Sequence, residues 1–117
     1  MTSWIADWLR AFALTLLAEI PIATPLLATV ERSVGRRLAI VVVANLATHP
    51  LVWFLFPGLT FGRPMRFALS EAWAVLAEIL IYKLIWPPLR VRRAVLVSLA
   101  ANAASFALGI ALARFLR

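Results

Sequence analysis

Two glutamates and one histidine lie inside long apolar stretches of this sequence, where titratable side chains are rare. Glu19, His49 and Glu78 each occupy the middle of a different stretch. Carboxyl and imidazole groups exchange protons, and two carboxyl groups that meet in a water-poor interior retain a shared proton because their charges repel. The three side chains therefore predict a site for proton-linked or cation transport.

Two asparagines and a third glutamate extend this predicted site along the helices. Asn45 and Asn102 lie about one turn from the titratable groups, and Glu71 lies seven residues before Glu78 on the same helix face. A row that runs from Glu71 through the central groups to the asparagines covers much of the thickness of a bilayer. The predicted proton or cation site consists of Glu19, Glu78, His49, Asn45 and Asn102, with Glu71 at its entrance.

Each of these residues also has a purely structural interpretation. Asparagine side chains often join membrane helices through hydrogen bonds, and Glu71 is shallow enough to pair with Arg63 or Arg66. Glu19 and Glu78 are harder to explain in this way, because glutamine would form the same bonds without a titrating proton. A charge at the centre of a span costs roughly 2.5–3.5 kcal/mol, so we expect both carboxyl groups to face the interior of a bundle.

The same residues predict a metal site as an alternative. Glu19, His49 and Glu78 offer one imidazole and two carboxylates, a donor set that suits a divalent metal, and would make the protein a membrane-embedded metal-dependent enzyme. The sequence has no HExxH or GxSxG motif, no phosphate loop and no cysteine, which removes thiolate zinc sites and iron–sulfur clusters. Whether the protein is an enzyme stays open at this point.

The composition requires a membrane environment for these groups. Apolar residues make up 64% of the chain and charged residues 15%, whereas soluble domains carry about 45–50% and about 25%. A span needs about 20 mostly apolar residues, and only helices satisfy their own backbone groups in lipid. We therefore predict an all-α integral membrane protein, one membrane domain over residues 1–117, with four transmembrane helices at about residues 8–30, 38–56, 67–86 and 94–115.

Basic residues lie in the gaps between the apolar stretches. The net charge of +7 would suggest nucleic acid in a soluble protein, but this placement is typical of arginines that contact lipid headgroups, so we expect no nucleic-acid partner. The first and third connections and their flanks hold seven Lys and Arg residues, and the opposite side holds five. The difference favours a multi-pass protein of the bacterial inner membrane with both termini outside.

The two halves of the sequence resemble each other. Residues 17–20 recur as residues 76–79, an Arg-Arg pair recurs 56 positions later, and residues 44–48 match residues 101–105. This pattern predicts two tandem helical hairpins, at about residues 8–56 and 67–115, related by a parallel internal repeat with a pseudo-two-fold axis along the membrane normal. Glu19 would then face Glu78, and Asn45 would face Asn102, while His49 has no counterpart.

The interpretation that these patterns favour is a multi-pass four-helix bundle for proton-linked or cation transport. The first alternative is the metal-dependent membrane enzyme described above. The second is a non-catalytic subunit or scaffold of a larger membrane complex, since four helices in this length leave almost no soluble surface. Besides the lipid bilayer, an alanine-rich face on the last helix leaves a homo-oligomer or a larger complex open as partners.

Overall fold

Long helices account for most of this protein, as the apolar pattern predicts. The computed structural model describes residues 2–55, 58, 60 and 62–115. Within these residues the chain forms four α-helices and no strand, so the prediction of an all-helical protein is confirmed. The four helices are α1 (Thr2–Leu26), α2 (Val34–Pro50), α3 (Arg63–Ile85) and α4 (Val91–Phe115).

Local sequence signals determine where the helices begin and end. Ser33 caps α2, because its hydroxyl accepts a hydrogen bond from the backbone N–H of Arg36 at 3.2 Å. A proline in the first turn of α3 suits a position that needs no backbone donor, and α3 ends at Ile85, just before the Pro87-Pro88 pair. α1, α2 and α4 each begin several residues before the start of the corresponding predicted span. An apolar run shows where the membrane segment lies, but the helix extends beyond it to its capping residue.

A π-helical turn at Leu51–Leu55 follows α2 directly. Pro50 has no backbone N–H, so the regular bond to the preceding turn is missing there, and the backbone widens after it. The predicted end of the second span at Phe56 lies outside the described residues. The π-helical turn therefore forms the last described part of the second apolar stretch.

The helices are arranged as a ring of four. α1 packs against α2 and α4, and α3 packs against the same two helices. Short connections make consecutive helices antiparallel neighbours, so α1 and α3 occupy opposite corners of the ring. Side chains that point inward from α1 and α3 therefore face each other across the centre of the bundle.

The inward faces of α1 and α3 follow the same spacing. Glu19 and Ala23 on α1 and Leu27 just after it are buried at intervals of four residues. So are Glu78 and Tyr82 on α3 and Trp86 just after it, each 59 positions later. α2 and α4 match in the same way 57 positions apart, with Val41, Ala44 and Asn45 on one helix and Ser98, Ala101 and Asn102 on the other. Residues at these fixed offsets thus line one core.

Apolar packing is concentrated at one end of the bundle. Among the described residues, the buried apolar side chains lie at the level of the two glutamates or between them and the arginine-rich connections, with Ala74 as the one exception. Ala23, Leu27, Tyr82, Leu89 and Val97 are among the core residues with at most 1% of their surface exposed. The opposite half of the bundle is packed less tightly.

Three segments are long and apolar enough to cross a membrane: Ile5–Leu26, Val34–Leu55 and Val91–Leu112. They identify the chain as a membrane protein. α3 has sufficient length but is less apolar, because it carries Glu71, Glu78 and Lys83. The predicted fourth span, residues 67–86, therefore corresponds to a helix, and its position in the membrane stays a prediction.

Candidate functional site

Glu78 is a buried side chain that α4 holds by two hydrogen bonds. It lies on α3 with 1% of its surface exposed, and its Oε2 atom accepts hydrogen bonds from Ser98 Oγ at 2.8 Å and Asn102 Nδ2 at 2.7 Å. Ser98 and Asn102 are four residues apart on α4, so both donors project from one helix face. The amide of Asn102 carries two hydrogens, and it also donates to the backbone oxygen of Ser98 at 2.8 Å.

Glu19 is buried to the same extent, with 1% exposed, but it has fewer partners. Its Oε2 atom is buried and accepts no hydrogen bond from any described residue. Asn45, the α2 residue that corresponds to Asn102, donates to the backbone oxygen of Val41 in its own helix at 2.9 Å. Where α4 has Ser98, the matching position on α2 is Val41, which has no donor. The first carboxyl group therefore lacks the two side-chain donors that hold the second.

The two carboxyl groups project into the bundle from helices at opposite corners of the ring. The Oε1 atom of Glu78 is also buried and has no partner among the described residues, so each glutamate keeps one oxygen without a hydrogen bond. Tyr82 lies one turn after Glu78 on the same helix and is 1% exposed. Tyr82 is not among the predicted site residues, although its spacing of four residues from Glu78 marks it as a neighbour on the same face.

His49 lies apart from the carboxyl groups. Its Nε2 atom is 3.3 Å from Thr15 Oγ1, and its ring is surrounded by Phe12, Trp8 and Trp53, with ring centroids 5.3, 6.4 and 6.5 Å away. Within the described part of the chain, no hydrogen bond or ion pair joins His49 to a glutamate. Its Nδ1 atom is buried without a partner there. The histidine thus belongs to an aromatic cluster between α1 and the end of α2.

The position of His49 bears on the metal site that the sequence predicts as an alternative. Among residues 2–55, 58, 60 and 62–115, no three histidine, cysteine or acidic side chains come together in a way that could hold a metal ion. The predicted ligand set of Glu19, His49 and Glu78 is therefore not assembled, because the imidazole is turned toward Thr15 and the aromatic rings. The described polar side chains at the centre of the bundle include two carboxyl groups, two amides and the hydroxyl groups of Ser98 and Tyr82.

Glu71, the predicted entrance, lines a cavity of about 510 Å³ between α3 and α4. Asn102 lines the same cavity, and its walls include Phe67 and Phe106, whose ring centroids are 5.1 Å apart. Asn102 also donates a hydrogen bond to Glu78. The Asn102 side chain therefore separates the cavity that Glu71 lines from the buried Glu78. The predicted pairing of Glu71 with Arg63 involves a side chain outside the described part of the structure.

Polar contacts at the arginine-rich end tie the hairpins together. Glu31 accepts a hydrogen bond from Trp86 Nε1 at 3.2 Å and pairs with Arg36 at 2.8 Å. These contacts, the tryptophan bond foremost, hold the pKa of Glu31 below its ordinary value. Arg37 donates to the backbone oxygen of Thr24 at 2.6 Å and thereby caps the last turn of α1. These residues stabilise the end of the bundle beyond the carboxyl groups.

No protein-family model, curated protein or solved structure matches this chain. A proposal for its function is therefore carried by its own residues and their geometry.

Proposed function

We propose that this protein moves protons or cations across a membrane through Glu19 and Glu78. The observation that carries the proposal is the pair of carboxyl groups itself. Both are almost completely buried, they lie on helices at opposite corners of the ring, and each has a buried oxygen without a partner among the described residues. Unpartnered polar atoms are costly in a protein interior, and a proton or a small cation satisfies two facing carboxyl groups.

The surroundings of the pair supply a route to it. The cavity that contains Glu71 reaches Asn102, and Asn102 contacts Glu78. Asn45 lies on α2 at the position that corresponds to Asn102 on α4. Its Nδ2 atom donates to the backbone of α2, and its Oδ1 atom accepts no hydrogen bond from a described residue. In the proposed path a cation or proton passes Glu71, then Asn102, and then exchanges between the two central carboxyl groups.

The proposal includes a fourth membrane span formed by α3. Its side chain Glu78 is turned inward, while Leu76, Leu80 and Leu84 are among the exposed side chains of the same helix. An outer surface of this kind is compatible with lipid, since the polar groups are shielded by neighbouring helices. α3 thus presents apolar residues outward, as a span requires.

The proposal further includes two duplicated hairpins related by an axis along the membrane normal. The matching burial of α1 and α3, and of α2 and α4, supports this relationship. With the arginine-rich connections in the cytoplasm, both termini lie outside a bacterial inner membrane. The sequence contains no cysteine, so an impermeant thiol reagent should label Thr60→Cys on intact cells and Arg32→Cys only after permeabilisation.

Transport in proteoliposomes tests the function. We expect wild-type protein to couple an imposed pH gradient to the movement of Na⁺, K⁺ or tetraphenylphosphonium, followed with an internal pH dye and isotope or electrode uptake. Glu78→Gln and Glu19→Gln should each abolish this coupling, because the amide cannot exchange a proton. Glu31→Gln is the matched control, since Glu31 lies in the connection outside the bundle centre.

Wild-type rates in both central variants, with folded protein, would contradict the proposal, as would an equal loss in Glu31→Gln. Helical content and thermal unfolding in detergent establish that each variant is folded. Among the described residues, no observation favours the metal-dependent enzyme or the scaffold subunit, so transport is the one function proposed.

A further inference from the structure

A second cavity lies at the arginine-rich end of the bundle, away from the carboxyl pair. It has a volume of about 700 Å³ and lies where the turn after α1 meets the connection between α3 and α4. Three arginines line it, Arg90, Arg92 and Arg93, and its apolar wall includes Val30, Leu89 and Leu96. One cavity thus combines a strongly positive lining with an apolar side.

The three arginines have no partner within the described part of the chain. None of their guanidinium groups takes part in a hydrogen bond or an ion pair there. Other arginines at this end are engaged, since Arg36 pairs with Glu31 and Arg37 donates to the backbone of α1. Glu31 is bonded to Arg36 and Trp86, so this carboxylate does not neutralise the cavity. Three like charges around one space repel one another, and a bound anion would relieve that repulsion.

The chemistry of the lining indicates the class of anion. The planar guanidinium group matches two oxygens of a phosphate at once, which makes arginine the preferred residue for phosphate recognition. The cavity also lies beside the ends of two candidate spans, which finish at Leu26 and begin at Val91. Lipid headgroups lie at this level of a bilayer, and basic pockets between membrane helices bind the headgroups of anionic lipids.

We propose that this cavity binds the phosphate of an anionic phospholipid from the surrounding leaflet. Arg90, Arg92 and Arg93 hold the phosphate, and the wall of Val30, Leu89 and Leu96 contacts the glycerol and the first methylene groups of the acyl chains. A soluble phosphate ion would use the arginines alone and would leave the apolar wall without a partner. The site is independent of transport through Glu19 and Glu78.

Native mass spectrometry of the purified full-length chain tests the lipid site. The probes are phosphatidylglycerol and phosphatidylcholine, added to protein in detergent and counted as retained adducts. Wild type should retain phosphatidylglycerol and release phosphatidylcholine. The double variant Arg92→Gln/Arg93→Gln should bind phosphatidylglycerol about tenfold more weakly, since it loses charge-assisted bonds. Arg32→Gln is the matched control, because Arg32 is an exposed arginine at the other connection and lines neither cavity described here.

Equal retention of phosphatidylglycerol by the double variant and by wild type would overturn the proposal. Equal retention of the two lipids by wild type would do the same. Displacement of phosphatidylglycerol by millimolar inorganic phosphate would assign the cavity to a soluble anion and would also exclude the lipid. If the double variant unfolds, the single variants Arg92→Gln and Arg93→Gln decide, each with an expected weaker retention than Arg32→Gln.

Discussion

The two hairpins hold the same carboxyl group in different ways. Glu78 in the second hairpin accepts hydrogen bonds from Ser98 and Asn102, whereas Glu19 in the first has a buried oxygen without a described donor. Part of the difference lies at positions 57 residues apart, where α2 has Val41 and α4 has Ser98. The second hairpin therefore holds its carboxyl group by two hydrogen bonds, whereas Glu19 Oε2 receives none from the described residues. In the proposed transport, Glu78 is the hydrogen-bonded member of the pair.

The largest expected difference between the hairpins concerns the two asparagines. Asn102→Leu removes the bond to Glu78 and leaves a buried acceptor with one donor fewer, so we expect a loss of about 2 kcal/mol in the free energy of unfolding. Asn45→Leu removes only a bond within its own helix and should cost about 0.6 kcal/mol. Titration of unfolding with sodium dodecyl sulfate in mixed micelles measures both values. Equal losses would show that Asn45 also supports a carboxyl group.

An exchange of the residues that distinguish the hairpins should produce the next largest effect. Ser98→Val makes α4 like α2 and should reduce stability by about 1 kcal/mol, because Glu78 loses a donor. Val41→Ser makes α2 like α4; it loses buried methyl groups but gains a hydroxyl donor, so its loss of stability should be smaller than that of Ser98→Val. The same unfolding titration compares them. A Val41→Ser variant that is as unstable as Ser98→Val would contradict the equivalence of the two positions.

The smallest expected effect concerns the hydrogen bond from Trp86 to Glu31, which joins the two hairpins. Trp86 and Arg36 lower the pKa of Glu31 from its ordinary value of 4.5, so the contribution of Glu31 to stability is complete above that pH and is lost as the pH falls through the lowered pKa. The unfolding temperature of wild type should therefore fall more steeply below about pH 4.5 than that of Glu31→Gln. A pH series of thermal unfolding curves measures this, and parallel curves would show that the link contributes nothing.

The helices follow from the sequence with little ambiguity, and their relative rotation does not. Apolar runs of sufficient length locate each helix, and the four-residue spacing identifies Glu19 and Glu78 as members of inward faces. The polar stripes also predict inward faces for Asn102 and Glu78, and the structure buries both side chains and joins them by a hydrogen bond. The apolar run that predicts the second span begins at Leu38, four residues after the start of α2, even though Ser33 is a recognisable cap.

His49 illustrates what spacing cannot determine. Asn45 and His49 are four residues apart and were expected to point into one site, yet Asn45 is buried and His49 contacts Thr15 and Phe12. The spacing of two residues shows that they share a helix face. It does not show which neighbouring side chains each of them contacts. Near Pro50, α2 packs against Trp8 and Phe12 of α1, and the His49 ring lies against these aromatic side chains instead of pointing to the centre of the bundle. Tyr82, one turn after Glu78, is buried but is not among the predicted site residues, because the prediction considers titratable and amide groups only.

The one-sided core has a consequence for a cell that carries this protein. Beyond the carboxyl groups, Ala23, Leu27 and Val97 are fully enclosed and Leu89 almost so, and the polar side chains of Tyr82 and Ser98 are buried among them. Hydrated ions cannot cross a closed core of this kind. At rest the proposed pathway would therefore be closed, and passage would require the helices at the arginine-rich end to separate.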